Sequence, residues 1–469
     1  MDVQRFRERS MVGPGCRSRS GTRGRRAAVV ATVVVGCVLS ACSAPPPPAT
    51  ATSPAASGSP AGTSATPARA GGTTSLARAE TSLPPAPAGS VRSTAASAPA
   101  TSSGVPAAVA AAPVHRKKLV EIGYDTPDAV YVRDHVREIE KLPFDGIALT
   151  PRQTPVLFEN RSWTADDTQI PVFSAIKWKK FTDNYISVWA QSPSGAGWFD
   201  DARWNRISLN ARKLSHVVAA ARARGIIFDP EFYYKNPQLN HAWRYDRARF
   251  GGRGFAAVEA QVRKRGATFM ASLQSKRPGV KVMIMHGLSN VYGEMVYDRK
   301  GRSQVEYALL PAFVNGMLDA AGPAVQIIDG NENGYYYREA KNFTDAAAWT
   351  RNESIKLVDP RHRARYRRSA MGMAVSPDCA FGLWPAPTFE ICQRGNLSPA
   401  GRRKLLQDNT YRALRTVDEV AWFYNEAFEL IRPTAADHPG EPRPVKGLDR
   451  KAVIDAVVAA RKRLATQTP

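Results

Sequence analysis

The sequence predicts an α/β fold: a closed parallel (β/α)8 barrel over residues 114–469, preceded by two segments of different character. Three observations predict it. Short apolar runs alternate with helix-like amphipathic stretches eight times. The runs are continuous rather than alternating, as strands covered on both faces require. The first run ends in Gly123-Tyr124-Asp125 and lacks the Gly-rich phosphate turn usual in an open doubly wound sheet.

Element by element, Lys118 to Asp125 is the first strand, and a helix follows over about Pro127 to Lys141. Phe144 to Thr150 is the second strand. The third is Phe181 to Ala190, after a loop holding Trp163 and Trp178. A long helix spans about Asp200 to Arg224, with Ile207, Leu214, Val217 and Val218 at helical spacing, and Gly225 ends it. Ile226 to Phe232 is the fourth strand, with a helix over Phe255 to Lys276. Val280 to Gly287 is the fifth, with a helix over Tyr307 to Leu318. Val325 to Gly330 is the sixth, with a helix reaching about Leu357. Arg368 to Ser376 is a weaker seventh strand, with a helix over Pro399 to Thr416. Val420 to Glu426 is the eighth, and Asp449 to Leu464 the last helix. This is the layout of a TIM barrel.

Residues 1–42 read as a lipoprotein signal peptide. Arginines crowd Arg5 to Arg26, and Ala27 to Leu39 is uncharged and mostly apolar. That run is shorter than the roughly 20 residues that cross a bilayer. It closes in Leu39-Ser40-Ala41-Cys42, which resembles the bacterial lipobox, so Cys42 is the expected lipidation site; the alternative is a cleaved secretory signal. Residues 43–113 are Ala, Pro, Ser, Thr and Gly almost throughout, with no aromatic residue. Such a composition cannot offset its ordering entropy, so a disordered linker is expected, its ends roughly 45–50 Å apart.

The net charge is +24, and about two thirds of it falls in 114–469. A basic exported domain can meet anionic headgroups or wall polymers. The densest cluster, Arg361-His362-Arg363-Ala364-Arg365-Tyr366-Arg367-Arg368, reads first as a solvated helix or loop face. No nucleic-acid recognition motif is present. Cys379 and Cys392 are either an exported disulfide or two unpaired thiols. No Cys-x-x-Cys, His-x-His or His-Glu-x-x-His occurs, and no Gly-x-Ser-x-Gly, so no metal and no cofactor is expected.

In a (β/α)8 barrel, functional groups gather at the C-terminal strand ends. Those ends carry Tyr124-Asp125, Asp229-Pro230-Glu231-Phe232-Tyr233-Tyr234, His286, Asp329-Gly330-Asn331-Glu332-Asn333 and Trp422-Phe423-Tyr424-Asn425-Glu426. Asp229-x-Glu231 is the sharpest pattern, because strand periodicity puts both carboxylates on one side. Two close carboxylates perturb each other, and one can then hold a proton near neutral pH. Glycosidic cleavage uses such a pair. The competing reading has Asp229 capping the next segment and Glu231 paired with an arginine. Trp163, Trp178, Trp189, Trp198, Trp204, Tyr233, Tyr234, Trp243, Tyr335, Tyr336, Tyr337, Trp384 and Trp422 fall mostly in post-strand loops or at strand ends. Some are expected to rim a sugar groove and about half to pack.

Lys117-Lys118-Leu119-Val120-Glu121-Ile122-Gly123-Tyr124-Asp125, Pro143-Phe144-Asp145-Gly146, Phe181-Thr182-Asp183-Asn184, Trp198-Phe199-Asp200-Asp201, Gly225-Ile226-Ile227-Phe228-Asp229-Pro230-Glu231 and Asp329-Gly330-Asn331-Glu332 resemble a family of exported bacterial glycoside-hydrolase-like TIM barrels without an assigned activity. The resemblance covers about Lys117 to Glu426. Asp-x-Glu also resembles the end of the chitinase-type motif, whose glutamate is the acid and whose aspartate assists the acetamido group. Gly225, Ile226 and Ile227 stand where that motif has its upstream aspartates, so the resemblance implies the fold more firmly than the activity.

The expected function is a membrane-tethered, extracytoplasmic glycoside hydrolase; the alternative is a non-catalytic glycan- or wall-binding lipoprotein. The catalytic candidates are Glu231, Asp229 and Glu332, with Glu426 a second choice for the partner carboxylate. Tyr124, Asp125, His286, Asp329, Asn331, Tyr335, Trp422, Asn425 and Glu426 are expected to line the sugar subsite. The expected partners are a polysaccharide or cell-wall glycan and, through the lipid, a membrane; the chain is expected to be a monomer.

Overall fold

The computed structural model describes residues 117–124, 126–151, 156–192, 194–233, 241–384, 389–393, 395–428, 430–432 and 447–467. The segments 1–42 and 43–113, with Cys42, lie outside the described residues, as do Asp125 and Tyr234. In chain order the elements are β1 (Lys118–Gly123), α1 (Ala129–Ile139), β2 (Gly146–Leu149), α2 (Ala165–Thr168), α3 (Ile170–Ala175), β3 (Tyr185–Trp189), α4 (Asp201–Ala220), β4 (Gly225–Asp229), α5 (Phe255–Leu273), β5 (Lys281–Ile284), α6 (Leu288–Tyr297), α7 (Leu310–Ala320), β6 (Gln326–Asp329), α8 (Ala340–Ala348), α9 (Pro360–Arg367), β7 (Met373–Val375), α10 (Pro377–Phe381), α11 (Glu390–Gln393), α12 (Pro399–Thr416), β8 (Val420–Asn425) and α13 (Arg450–Thr466). No described helix is long and apolar enough to cross a membrane.

The strands pair in parallel in the order β6-β5-β4-β3-β2-β1-β8-β7. At the seam a single bridge joins Asp329 to Met371. There the Asp329 N–H donates to the Ala370 carbonyl and the Gly372 N–H to the Asp329 carbonyl, both at 2.8 Å. The result is a nearly closed (β/α)8 TIM barrel, as the alternation of elements requires.

Each strand splits its residues between two cores. Leu119, Ile226, Phe228, Val282, Ile284, Ile327, Ala421 and Phe423 pack outward against the helices. Val120, Ile122, Ile227, Met283, Ile328, Val420 and Trp422 fill the barrel interior. This two-residue period fixes which strand-end side chains can reach the mouth.

Several elements differ from the sequence reading. α6 starts directly after β5, and α7 starts at Leu310 rather than Tyr307. After β6 the chain makes a 3-10 turn (Glu332–Tyr336), α8, a π turn (Trp349–Glu353) and a 3-10 turn (Ser354–Leu357), in place of one helix. The basic run folds as α9, and much of it is engaged internally. Arg361 and His362 reach Asp319, at 2.6 and 2.7 Å. Arg365 caps the carbonyls of Ala321 and Gly322 just past α7, and Arg363 reaches the Val358 carbonyl. Cys379 and Cys392 form a disulfide, with Cα atoms 4.7 Å apart, that ties α10 to α11.

Candidate active site

β4 delivers the first two acids. Ile227 faces the interior, so Asp229 does too. The strand stops there because Pro230 has no N–H for a further ladder bond. Gln191, past the end of β3, steadies the turn by donating from Nε2 to the Pro230 carbonyl at 2.5 Å. Asp229 Oδ1 accepts the backbone N–H of Glu231 at 2.9 Å. Glu231 is therefore aimed by an aspartate-capped turn and not by a continuing strand. Capping and convergence, posed as alternatives by the sequence, occur together.

Tyr233 completes this corner. Its hydroxyl lies 2.7 Å from Glu231 Oε2 and 3.3 Å from Asp229 Oδ2. One hydroxyl hydrogen serves one acceptor well, and the shorter contact takes it. The ring is 51 % exposed and lies 5.2 Å from Trp189. Burial, with the charges of Glu231 and Glu332 adding, holds the Asp229 carboxyl well above its ordinary range.

β5 and β6, the next strands in the sheet, supply the other groups. His286 follows β5, and Glu332 opens the 3-10 turn after Asn331, whose backbone is left-handed (φ 46°, ψ 63°). His286 Nδ1 lies 3.5 Å from Glu332 Oε2, and both residues are buried. One oxygen of Glu231, one ring nitrogen of His286 and one oxygen of Glu332 all lie within 4.8 Å of one another. The His286 ring packs on Tyr307 at 4.4 Å, and Tyr307 meets the edge of His241 at 5.0 Å. His241 Nδ1 accepts the Trp243 N–H at 3.2 Å, so its proton sits on Nε2, 3.6 Å from Glu306 Oε1. Burial lowers the pKa of His241, against the raising effect of Glu306.

The remaining expected residues take varied places. Asp329 belongs to the frame: Oδ2 accepts the Ser289 N–H at 2.7 Å, and Oδ1 accepts the Ser289 hydroxyl at 2.7 Å and the Asn331 N–H at 3.1 Å. It clamps β6 to the start of α6. Asn331 is buried, and its Oδ1 accepts the Tyr337 hydroxyl at 3.3 Å. Asn425 shares the outward parity of Ala421 and Phe423 and donates to Glu121 Oε1 at 3.0 Å. With Tyr124, Gly123 and Glu426 this pair lines a small polar cleft between the ends of β1 and β8. Trp422 faces the interior and donates to the Gly330 carbonyl at 2.7 Å. Tyr335 packs against Trp422, Tyr424 and Trp384 at 5.3, 5.4 and 5.8 Å. Glu426 accepts from the Tyr424 hydroxyl at 2.9 Å and the Trp384 indole at 3.0 Å. Beneath it, burial and then Glu426 push the Asp378 carboxyl up to about 7.

Most of the expected aromatic rim packs. Trp198, Trp204 and Trp243 are buried with Phe158 and Phe313 in one cluster outside the barrel, and Trp163 is buried as well. Trp204 sits on the inner side of α4, and the loops carrying Trp163, Trp198 and Trp243 fold back onto the helix layer. Tyr233 and Trp189 remain at the mouth and Tyr124 at the rim. Tyr233, expected at the end of strand four and among the rim aromatics, proves to be the hydrogen-bond partner of both acids, a role its place four residues after Asp229 could have signalled. Tyr307 and Asp378 gave no such signal.

The fold and this mouth define a (β/α)8 barrel whose strand ends join two glutamates, an aspartate and a histidine. No family model and no curated protein matches the chain. Among solved structures it is similar to an Anoxybacillus α-amylase described as a new glycosyl hydrolase subclass, at 10 % identity, 75 % of this chain, 79 % of that chain and a TM-score of 0.37. It is also similar to dihydropteroate synthase from Stenotrophomonas maltophilia, at 12 % identity, 76 % of this chain, 95 % of that chain and a TM-score of 0.32. At these scores neither likeness bears on activity.

Proposed function

We propose that the chain is a retaining glycoside hydrolase acting on a polysaccharide or cell-wall glycan. The observation that carries this is the convergence of Glu231 and Glu332, with one carboxyl oxygen of each within 4.8 Å of the other. Retaining cleavage uses carboxyl groups about 5–5.5 Å apart, whereas inversion needs about 6.5–9.5 Å to admit water. Glu231, fixed by Tyr233, protonates the departing glycosidic oxygen. Glu332 attacks the anomeric carbon as that C–O bond breaks, forming a glycosyl ester. Water, deprotonated by Glu231, then releases the sugar and restores both groups. Asp229, holding its proton, supports Glu231 without adding a further negative charge. Tyr233 and Trp189 offer the ring faces for the sugar.

The test is a screen of chromogenic glycosides and wall oligosaccharides on the full chain. The first-formed anomer should keep the substrate's configuration by NMR. Glu231→Gln and Glu332→Gln should each cut kcat/KM at least about a thousandfold. Azide should restore Glu332→Gly by forming a glycosyl azide of opposite configuration. A wild-type chain that binds glycans and cleaves none is the glycan-binding lipoprotein instead.

The site of action belongs to the same proposal. Leu39-Ser40-Ala41-Cys42 would place the barrel outside the cytoplasm on a lipid anchor. Cys42→Ser should release the protein from membranes and abolish fatty-acid labelling; unchanged membrane association would reject the anchor.

A further inference from the structure

The same mouth has the makings of a chelate. Glu231, His286 and Glu332 come from three different strand ends, and each points one donor atom into a space no more than 4.8 Å across. His286 Nδ1 and Glu332 Oε2 are 3.5 Å apart, longer than the 2.7–3.2 Å of an ordinary N–H···O bond. Two ligands about 2.1 Å from one ion at a tetrahedral angle lie about 3.4 Å apart, so the spacing of this pair fits ligands that share an ion, and Glu231 would complete the set by a small side-chain shift.

The surroundings match that use. His286 is held against Tyr307, and the Tyr233 hydroxyl holds Glu231 Oε2 at 2.7 Å. Such outer contacts orient metal ligands. Asp229 adds a third carboxyl beside the pair, and a cation would relieve the crowding of acids. One imidazole and two carboxylates suit zinc-class transition ions better than calcium or magnesium, which take oxygen ligands.

We propose that Glu231, His286 and Glu332 form a binding site for one divalent transition ion of the zinc class. With the ion in place both glutamates are ligands, so neither can donate a proton or attack a sugar. Metal binding and glycoside hydrolysis therefore exclude each other at this mouth. Binding itself stands apart from the hydrolase reading; only the inhibition rests on it.

The experiment is calorimetric titration of Zn2+ into the EDTA-treated full chain, with the absorption spectrum of the Co2+ form as a second measure. One ion per chain is expected, with a Co2+ spectrum of low coordination number. His286→Gln and Glu332→Gln should each weaken binding by at least about tenfold, while circular dichroism reports the fold. No binding, or binding unchanged in both variants, overturns the site. Glycoside turnover is read separately with and without Zn2+. Turnover in EDTA that Zn2+ suppresses supports the exclusion. Zn2+ binding with no turnover in either state keeps the metal site and rejects the hydrolase. Turnover that Zn2+ leaves unchanged at saturation overturns the exclusion.

Discussion

The Tyr233 hydroxyl donates to Glu231 Oε2 at 2.7 Å and so fixes the rotamer of the glutamate that Asp229 has already aimed through its backbone. Glu231 becomes a carboxylate once it has given up its proton, and a hydrogen bond to a charged group contributes roughly 1.5–3 kcal/mol. Tyr233→Phe keeps the ring on Trp189 and removes this bond together with the longer contact to Asp229 Oδ2. Turnover should fall about 10- to 100-fold with little change in KM or in melting temperature. Steady-state kinetics beside a thermal melt checks this; a lowered melting temperature with unchanged kcat would make Tyr233 a structural residue.

Gly287 and Asp329 form a second coupled pair. A Cβ on Gly287 would stand 2.4 Å from the Asp329 carboxyl. Gly287→Ala should push that carboxylate off Ser289 and cost about 1–3 kcal/mol. Asp329→Ala should cost a similar amount, by leaving buried donors unmatched. Because both break one clamp, the double variant should lose clearly less than the sum of the two in urea unfolding. Full additivity would mean that the clamp is not shared.

The barrel was legible because strand runs and helix periods repeat along the chain. All eight strands lie where Leu119, Ile147, Ile186, Ile226, Val282, Ile327, Ala374 and Ala421 mark apolar runs. The Asp229 and Glu231 corner was legible because its residues adjoin in sequence. What failed was depth. Trp198 and Trp243 look like rim residues until their loops fold back onto the helix layer beside Trp204 of α4, a long-range contact no local pattern encodes. Asp329 and Asn425 sit at strand ends as expected. Their two-residue register, however, turns them outward, where Ser289 and Glu121 take them. The convergence of His286 with Glu332 depends on the pairing of β5 with β6, strands that α6 and α7 separate in sequence, so no ligand spacing announces it.

Asp378 gives a pH dependence with a definite sign. Burial and Glu426 raise its carboxyl to about 7, against an ordinary value near 4 in the unfolded chain. The folded chain then holds a proton there that the unfolded chain has lost. Stability from this group is full below pH ~4, falls as pH rises toward 7 and is level above that, by at most about 4 kcal/mol. Asp378→Asn should remove this part of the profile. Urea unfolding of both proteins at pH 4.5, 6 and 8 measures it: the stability of the wild type relative to the variant should decline with pH. A constant difference would show that Asp378 is ionised throughout.

Asn425 tests the register argument most sharply, because two positions of opposite outcome lie side by side. Asn425 pairs with Gly123 across the β1–β8 ladder, and its side chain meets Glu121 on the outer side of the sheet. Tyr424, one residue earlier, faces the interior and the Glu426 carboxylate. Asn425→Ala removes one buried hydrogen bond to a carboxylate, at a cost of roughly 1.5–3 kcal/mol, and should leave kcat/KM within about twofold. Tyr424→Phe frees Glu426 Oε1 at the interior side and should change KM more than stability. If Asn425→Ala instead lowers kcat/KM tenfold in a fully folded chain, its side chain serves the sugar, and the outward parity of β8 ends before its last residue.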